Sequence, residues 1–314
     1  MNQISVVIPV YGTERFIARC LESVLSQTFA DVEIVVVNDC TPDKAMEIVG
    51  RYAAEHGNIK IVDHDKNMGP MMARKSGYRA AMGKYIVFLD SDDTLPEHAL
   101  ETLYAAIDAS GRKIVAGGFR YIRDNGTTED HLPTRIGVFG AKEAVELCLQ
   151  GKMNHNLAFA IFDRGLFDKD FITLPNQTNA EDLILFYQLV REAGDIDIIP
   201  DMVYNYYQNF ASSSNTPPSL GKLRQWARAQ NFKYEFCRDL GVDRLILMAN
   251  IIGIVAPWPE VKNGKEVYAD LNPEIRSNIN ARSFFRYLPA SRAAYYTLLY
   301  IFPALASFLK YLKR

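Results

Sequence analysis

A chain of 314 residues with 48% hydrophobic and 23% charged side chains, 19 glycines and 14 prolines has an ordinary globular composition. That excludes collagen, coiled coil or disorder as the main architecture. The net charge of -2 conceals an acidic body and a basic end, because residues 275–314 hold Arg276, Arg282, Arg286, Arg292, Lys310, Lys313 and Arg314 and no acidic side chain; this is no nucleic-acid footprint, but it suits one end of the chain to an anionic membrane.

Residues 4–9 form a short β-branched apolar run with no secretory signal before it, and residues 32–37 form another; both read as buried strands. Between them Ile17, Leu21, Val24 and Leu25 recur at helical spacing, which predicts a crossover helix. A helix over 42–56, a strand over 59–62, a helix over 72–81 and a strand over 85–89 continue the alternation. The fold class is therefore α/β, a mainly parallel sheet covered by helices on both faces. The polar stretch 212–219 reads as a linker and divides the chain near residue 215. Beyond it come a helix-like stretch over 220–240, an apolar stretch over 245–255 closed by Pro257 and Pro259, and a basic, aromatic end, together a helical C-terminal extension. Cys20, Cys40, Cys148 and Cys237 form no CxxC pair, so no zinc site or disulfide framework is indicated and a reducing, cytoplasmic setting is expected.

Ligands of open α/β sheets sit at the carboxyl ends of the strands. Here those ends are Pro9-Val10-Tyr11, Asn38-Asp39 and Asp90-Ser91-Asp92-Asp93. No GxGxxG or GxxxxGK[ST] loop follows the first strand, so a glycine-built phosphate cradle is absent. The acidic cluster at 90–93 has two readings of equal weight on its own: a hard divalent cation held by carboxylates and substrate phosphates, or caps for a following helix.

The stretch 69–93, with Ala73-Arg74, Gly77, Gly83-Lys84-Tyr85 and Phe88-Leu89-Asp90-Ser91-Asp92-Asp93, resembles the family 2 glycosyltransferases. So do the opening residues 6–11, Ser23-Val24 with Gln27-Thr28, and the run 33–39. Glu181-Asp182, Tyr204-Asn205-Tyr206 and Ser212-Ser213 resemble the later part of the bacterial surface-polysaccharide members. The resemblance implies a GT-A fold over residues 1–215, a nucleotide-diphosphate sugar donor, expected to be a UDP-sugar, a divalent metal (Mn2+ or Mg2+), and inverting transfer of a single sugar. It assigns Pro9, Tyr11, Glu14, Asp39, Arg74 and Ser91 to the donor, with Asp39 accepting from the uracil imide. By the same resemblance Asp90 and Asp92 would form the DXD element, with Asp92 the direct metal ligand and Asp90 contacting the ribose or the metal shell, and Asp182 would be the catalytic base. Glu181 and Asp182 precede an apolar-periodic run, so the pair also reads as helix-start charge whose dipole favours the ionised form. Residues 156–162 depart from the family pattern and border the acceptor, and no QxxRW follows, which disfavours processive synthesis.

Residues 293–309 are uncharged and would span about 25 Å as a helix, short of a roughly 30 Å hydrocarbon core and interrupted by Pro303. With its basic flanks the segment predicts a peripheral contact on the inner face of the cell membrane, with packing or a homo-oligomer contact as the alternative. The functional expectation is a glycosyltransferase acting on a lipid-linked saccharide acceptor. The alternatives are a non-catalytic sugar-nucleotide or saccharide binder and a nucleotidyltransferase.

Overall fold

The computed structural model describes residues 3–174, 177–209 and 217–301. Ser212, Ser213 and the tail beyond Ile301, including Pro303 and the last three basic residues, lie outside the described residues. The chain divides into two compact units, Met1–Ala144 with Lys152–Asn215, and Val145–Gly151 with Thr216–Arg314.

The first unit is built on one sheet. In chain order its elements are β1 (Ile4–Val10), α1 (Ile17–Leu25), β2 (Val32–Asn38), α2 (Ala45–Glu55), β3 (Ile59–Asp63), α3 (Pro70–Ala80), β4 (Tyr85–Phe88), α4 (Ala99–Ser110), β5 (Ile114–Ile122), β6 (Thr128–His131), β7 (Gly137–Gly140), the first turn of α5 (Ala141–Leu149), whose residues from Val145 on belong to the second unit, β8 (Ala160–Asp163), α6 (Glu181–Ala193) and β9 (Asp195–Tyr207). The strands lie in the order β3-β2-β1-β4-β8-β5-β9-β7, with β6 pairing β5. From the pairings, β1–β5 and β9 run one way and β6–β8 run against them.

Alternation along β1 explains the layers. Ile4, Val6, Ile8 and Val10 join one buried cluster with Ile17, Cys20, Leu21 and Val24 of α1, Val49 of α2, and Leu100, Leu103 and Ile107 of α4. Val7 faces the other way and, with Val37, meets α3 at Gly77. Helices therefore cover both faces, as the period-two pattern of buried strands requires. The helix expected from residue 42 starts at Ala45, because Asp43 is spent on the loop: its carboxylate accepts from Glu14 N at 2.7 Å, Thr41 Oγ1 at 2.7 Å and Ala45 N at 3.2 Å.

Pro9 sits inside a central strand, normally a poor place for a residue without an N–H. Val7 O accepts from Leu89 N at 3.0 Å, so by the same period Pro9 faces the β4 side. The last β1–β4 partners are Val7 and Phe88, and β4 has left the sheet before it would need a donor at Pro9.

The second unit carries α7 (Leu220–Asp239), α8 (Arg244–Val255), α9 (Pro273–Ser277), α10 (Ala281–Tyr287) and α11 (Ala290–Ile301). Ser219 caps α7 by accepting from Lys222 N, and Asp243 caps α8 by accepting from Leu245 and Ile246 N. Its interior is formed by Leu247, Met248, Ile251, Ile252 and Trp258, and in α11 by Ala293 and Leu299. Among the described residues no helix is long and apolar enough to cross a membrane.

At Gly77 an added Cβ would collide with the Val7 side chain and lie 3.1 Å from Val37 Cγ2. Gly77→Ala should lower stability by about 1–3 kcal/mol through overpacking. Urea denaturation should show an earlier midpoint with an unchanged slope.

Candidate active site

β1 lies between β2 and β4, and the chain runs outward from it in both directions, so its carboxyl end is the switch point of the sheet. A cavity of about 780 Å³ opens there. Pro9, Tyr11, Glu14, Asp39, Arg74, Asp90, Ser91, Asp92 and Asp182, the residues singled out from sequence, all line it. Loops after β1, β2 and β4, helix α3 and the start of α6 thus converge on one space.

The two loops on the β2 side are bonded to each other. Gly12 N donates to Thr41 Oγ1 at 2.8 Å, and Glu14 Oε2 accepts from Lys44 N at 3.1 Å. Asp39 is buried and holds a further loop: its Oδ1 takes Met68 N at 2.7 Å and faces His64 Nδ1 at 2.8 Å, while its Oδ2 takes Gly69 N at 2.8 Å. A carboxylate has about four acceptor positions, so roughly one is left for a ligand. Gly69, at φ +86°, allows the sharp entry into α3, and Pro70 follows at the first helical position. His64 completes the relay with Nε2 2.8 Å from Ser76 Oγ. His64 was missed from sequence although it immediately follows β3, where the strand-end rule would have found it.

After β4 the acidic run turns back on itself, with Asp93 N donating to Asp90 O at 3.0 Å. Helix α4 begins only at Ala99 and has no side-chain cap. Capping is therefore not the job of residues 91–93. Instead Thr94 bridges Asn205 of β9, and Asp93 accepts from Tyr204 Oη at 2.8 Å and Tyr207 N at 2.7 Å. Burial pushes the Asp93 carboxyl well up, with Asp92 and Asp90 adding to the rise. Asp92 accepts from Asn209 Nδ2 at 2.9 Å, and its backbone carbonyl accepts from Arg19 Nη2 at 2.7 Å. Its pKa is also raised, first by burial and then by Asp90.

Arg74 lies at the centre of the site, 4% exposed. Its Nη2 donates to Asp90 Oδ1 at 2.8 Å; its Nη1 is 2.9 Å from Asp182 Oδ1 and 3.3 Å from Glu181 Oε1. Arg74, expected to face the nucleotide, lines the cavity while its guanidinium is engaged by three carboxylates. Burial disfavours its charge, but Asp182, Asp90 and Glu181 together raise its pKa above the usual arginine value. Asp182 Oδ1 is buried against Arg74 and lacks an aligned hydrogen bond, and the side chain keeps 23% of its surface at the cavity wall.

Burial dominates the electrostatic surroundings of Asp182. It is in the first turn of α6, but burial raises its carboxyl above the usual range against the pull of Arg74, with Glu181 and Asp90 reinforcing the rise. Ala180, immediately before the pair, is held at φ +60°, a left-handed conformation uncommon for a residue with a Cβ. That strain sets the entry of α6 at the acidic pair. His155, which sequence left outside the site, lies edge-on to Tyr187 at 6.3 Å and lines no part of the cavity.

Among the described residues no three His, Cys, Asp or Glu side chains group as an all-protein metal site. The donor set does fit a cation that takes only part of its shell from protein: hard carboxylate oxygens of Asp90 and Asp92, in a site where Arg74 faces an excess of acidic groups.

The glycosyl transferase family 2 model matches residues 5–171, more than half of the chain. The chain belongs to glycosyl transferase family 2. The glycosyltransferase GlyG of Streptococcus pneumoniae is 25% identical over 272 residues, 82% of this chain and 88% of its own. EpsJ of Bacillus subtilis, an uncharacterized glycosyltransferase, is 29% identical over 221 residues, which is 68% of this chain but 63% of that relative's length. Among solved structures, residues 1–349 of S. aureus TarS in complex with UDP-GlcNAc superpose with a TM-score of 0.64 at 19% identity, over 95% of this chain and 91% of that one. The last comparison establishes the GT-A glycosyltransferase fold.

Replacing Arg74 by Met should leave Asp90, Glu181 and Asp182 without their shared cation and cost about 3–5 kcal/mol of stability. The deficit, read by urea denaturation, should shrink as pH is lowered, since carboxylates freed of Arg74 can take up protons.

Proposed function

We propose that this family 2 glycosyltransferase moves one sugar from a UDP-sugar to a hydroxyl of a lipid-linked saccharide, with inversion, in cell-surface polysaccharide synthesis at the inner face of the membrane. The reading is carried by one observation: the carboxylates of Asp90, Asp92 and Asp182 line the same cavity as Asp39. The TarS complexes with UDP-GlcNAc and UDP, on the same fold, support the choice of donor.

In this reading the remaining acceptor position of Asp39 takes the N3–H of uracil, for which cytosine offers no equivalent donor. Pro9, Tyr11 and Glu14 wall the nucleoside, and Ser91 lies beside the ribose. Asp92, with Asp90, would hold a divalent metal, Mn2+ or Mg2+, which when bound neutralises charge developing on the diphosphate. Asp182 accepts the proton of the acceptor hydroxyl as that oxygen bonds to the anomeric carbon. The bond from carbon to the diphosphate oxygen breaks with its electron pair leaving on UDP. One displacement from the opposite face inverts the centre.

A carboxyl raised by burial is better matched to this task near neutral pH than an ordinary one. Arg74 limits the rise and keeps the group ionisable. Membrane contact is assigned to the exposed Arg282, Phe285, Arg286 and Arg292 of α10 and α11 together with the tail that follows.

Asp182→Asn should retain donor affinity and lose turnover by at least about a hundredfold. In the wild type kcat should fall as pH drops through the raised pKa, since only the ionised carboxylate is a base, and that acidic limb should lie above the usual carboxylate range. Stopped-time transfer assays across pH, with calorimetric donor titration, measure both.

Manganese should raise the melting temperature of the wild type, by up to about 2.7 kcal/mol of added stability at a hundred times Kd. Asp92→Ala should remove that shift. A variant that keeps the full shift would remove Asp92 as the ligand.

A further inference from the structure

A second cavity, of about 560 Å³, adjoins the first and is walled by aromatic rings. The sheet register builds it. Phe119 and Tyr121 lie two residues apart on β5 and so share a face. Opposite them β6 places His131 and Glu129, and on the other side Tyr206 of β9 is the partner of Tyr121. Phe159, from the turn before β8, closes the base. The rings order into stacks: His131 on Phe119 at 4.6 Å and 4°, Phe119 on Phe159 at 4.4 Å and 14°, and Tyr121 on Tyr206 at 5.6 Å and 21°. Polar groups edge the rings. Arg123 lies over Tyr121 and pairs with Glu129 at 2.5 Å, and Glu129 reaches His131 at 3.5 Å.

From this we infer that the groove binds an uncharged oligosaccharide, the inner residues of the acceptor chain. The inference rests on the transferase reading above and extends it. Three features select the occupant. Asn156 and Tyr206 line both cavities, so a chain lying in the groove ends where the donor sugar is transferred. A sugar ring has an apolar C–H face and a hydroxyl edge, and the groove offers ring faces bordered by hydrogen-bonding side chains, the mixture that fixes a ligand's orientation in a pocket. Its charges are paired within the groove, Arg123 with Glu129, which suits a neutral chain better than a polyphosphate.

Saturation-transfer NMR on the full chain, with glucose, maltotriose, cellotriose, laminaritriose and chitotriose as probes and no donor present, tests this. At least one trisaccharide should bind at least about tenfold tighter than glucose, with saturation on its ring C–H protons. Tyr121→Ala and His131→Ala, neither of them in the donor cavity, should each weaken it by about tenfold. Calorimetric affinity for UDP should stay within about twofold. If no trisaccharide binds, if both variants bind as the wild type does, or if UDP affinity falls in step, the groove assignment is overturned. Loss of trisaccharide binding with normal UDP binding strikes the groove alone. Variant-sensitive trisaccharide binding by a wild type that ignores UDP supports the groove and strikes the transferase reading.

Discussion

A single buried guanidinium makes the acidic centre of this molecule tenable. Arg74 comes from α3, Asp90 from the end of β4, and Glu181 and Asp182 from the start of α6. Bringing those carboxylates together in a desolvated place would otherwise drive them to neutralise. With Arg74 between them, the carboxylates of Asp90 and Asp182 share one counter-ion, and a change in the charge of either is felt by the other.

The rest of the sheet serves that centre at its edges. Tyr204 donates to Asp93 and accepts from Asp90 N at 3.2 Å, so a residue of β9 holds the turn after β4 from two sides. Asn209, just past β9, steadies Asp92. The late strand therefore does more than extend the sheet: it holds the acidic turn from two sides, and the same strand's Tyr206 lines both the strand-end cavity and the aromatic groove. Asp39 does for the β2 side what Tyr204 does for β4, fastening the loop that starts α3.

How far the amino-acid order reveals this follows from the range of each interaction. β1, β2 and β4 are legible because β-branched runs need only local pattern, and α1 because Ile17, Leu21 and Val24 mark one stripe. The four-residue strands β6, β7 and β8 are not, since pairing partners far along the chain, rather than their own composition, make them strands. Residues 156–162 read as an acceptor border; Asn156 lines both cavities, whereas residues 160–162 belong to a strand between β4 and β5. Asp39, Asp90 and Asp92 are legible as strand-end carboxylates, whereas Glu14, Arg74 and Asp182 are reached only through the family resemblance. The wiring is not legible: Arg74 meets Glu181 across 107 positions, and burial raises the Asp182 carboxyl against the pull of Arg74.

Pro9 carries a consequence for how the protein acquires its shape. A slip of β4 along β1 toward the cavity would require an N–H at position 9, and the pyrrolidine ring has none to offer. Pairing carried past Val7 and Phe88 would forgo a ladder hydrogen bond at the residue where the crevice begins, a cost of about 1 kcal/mol. The mouth of the cavity is in this sense kept open by an atom the chain leaves out.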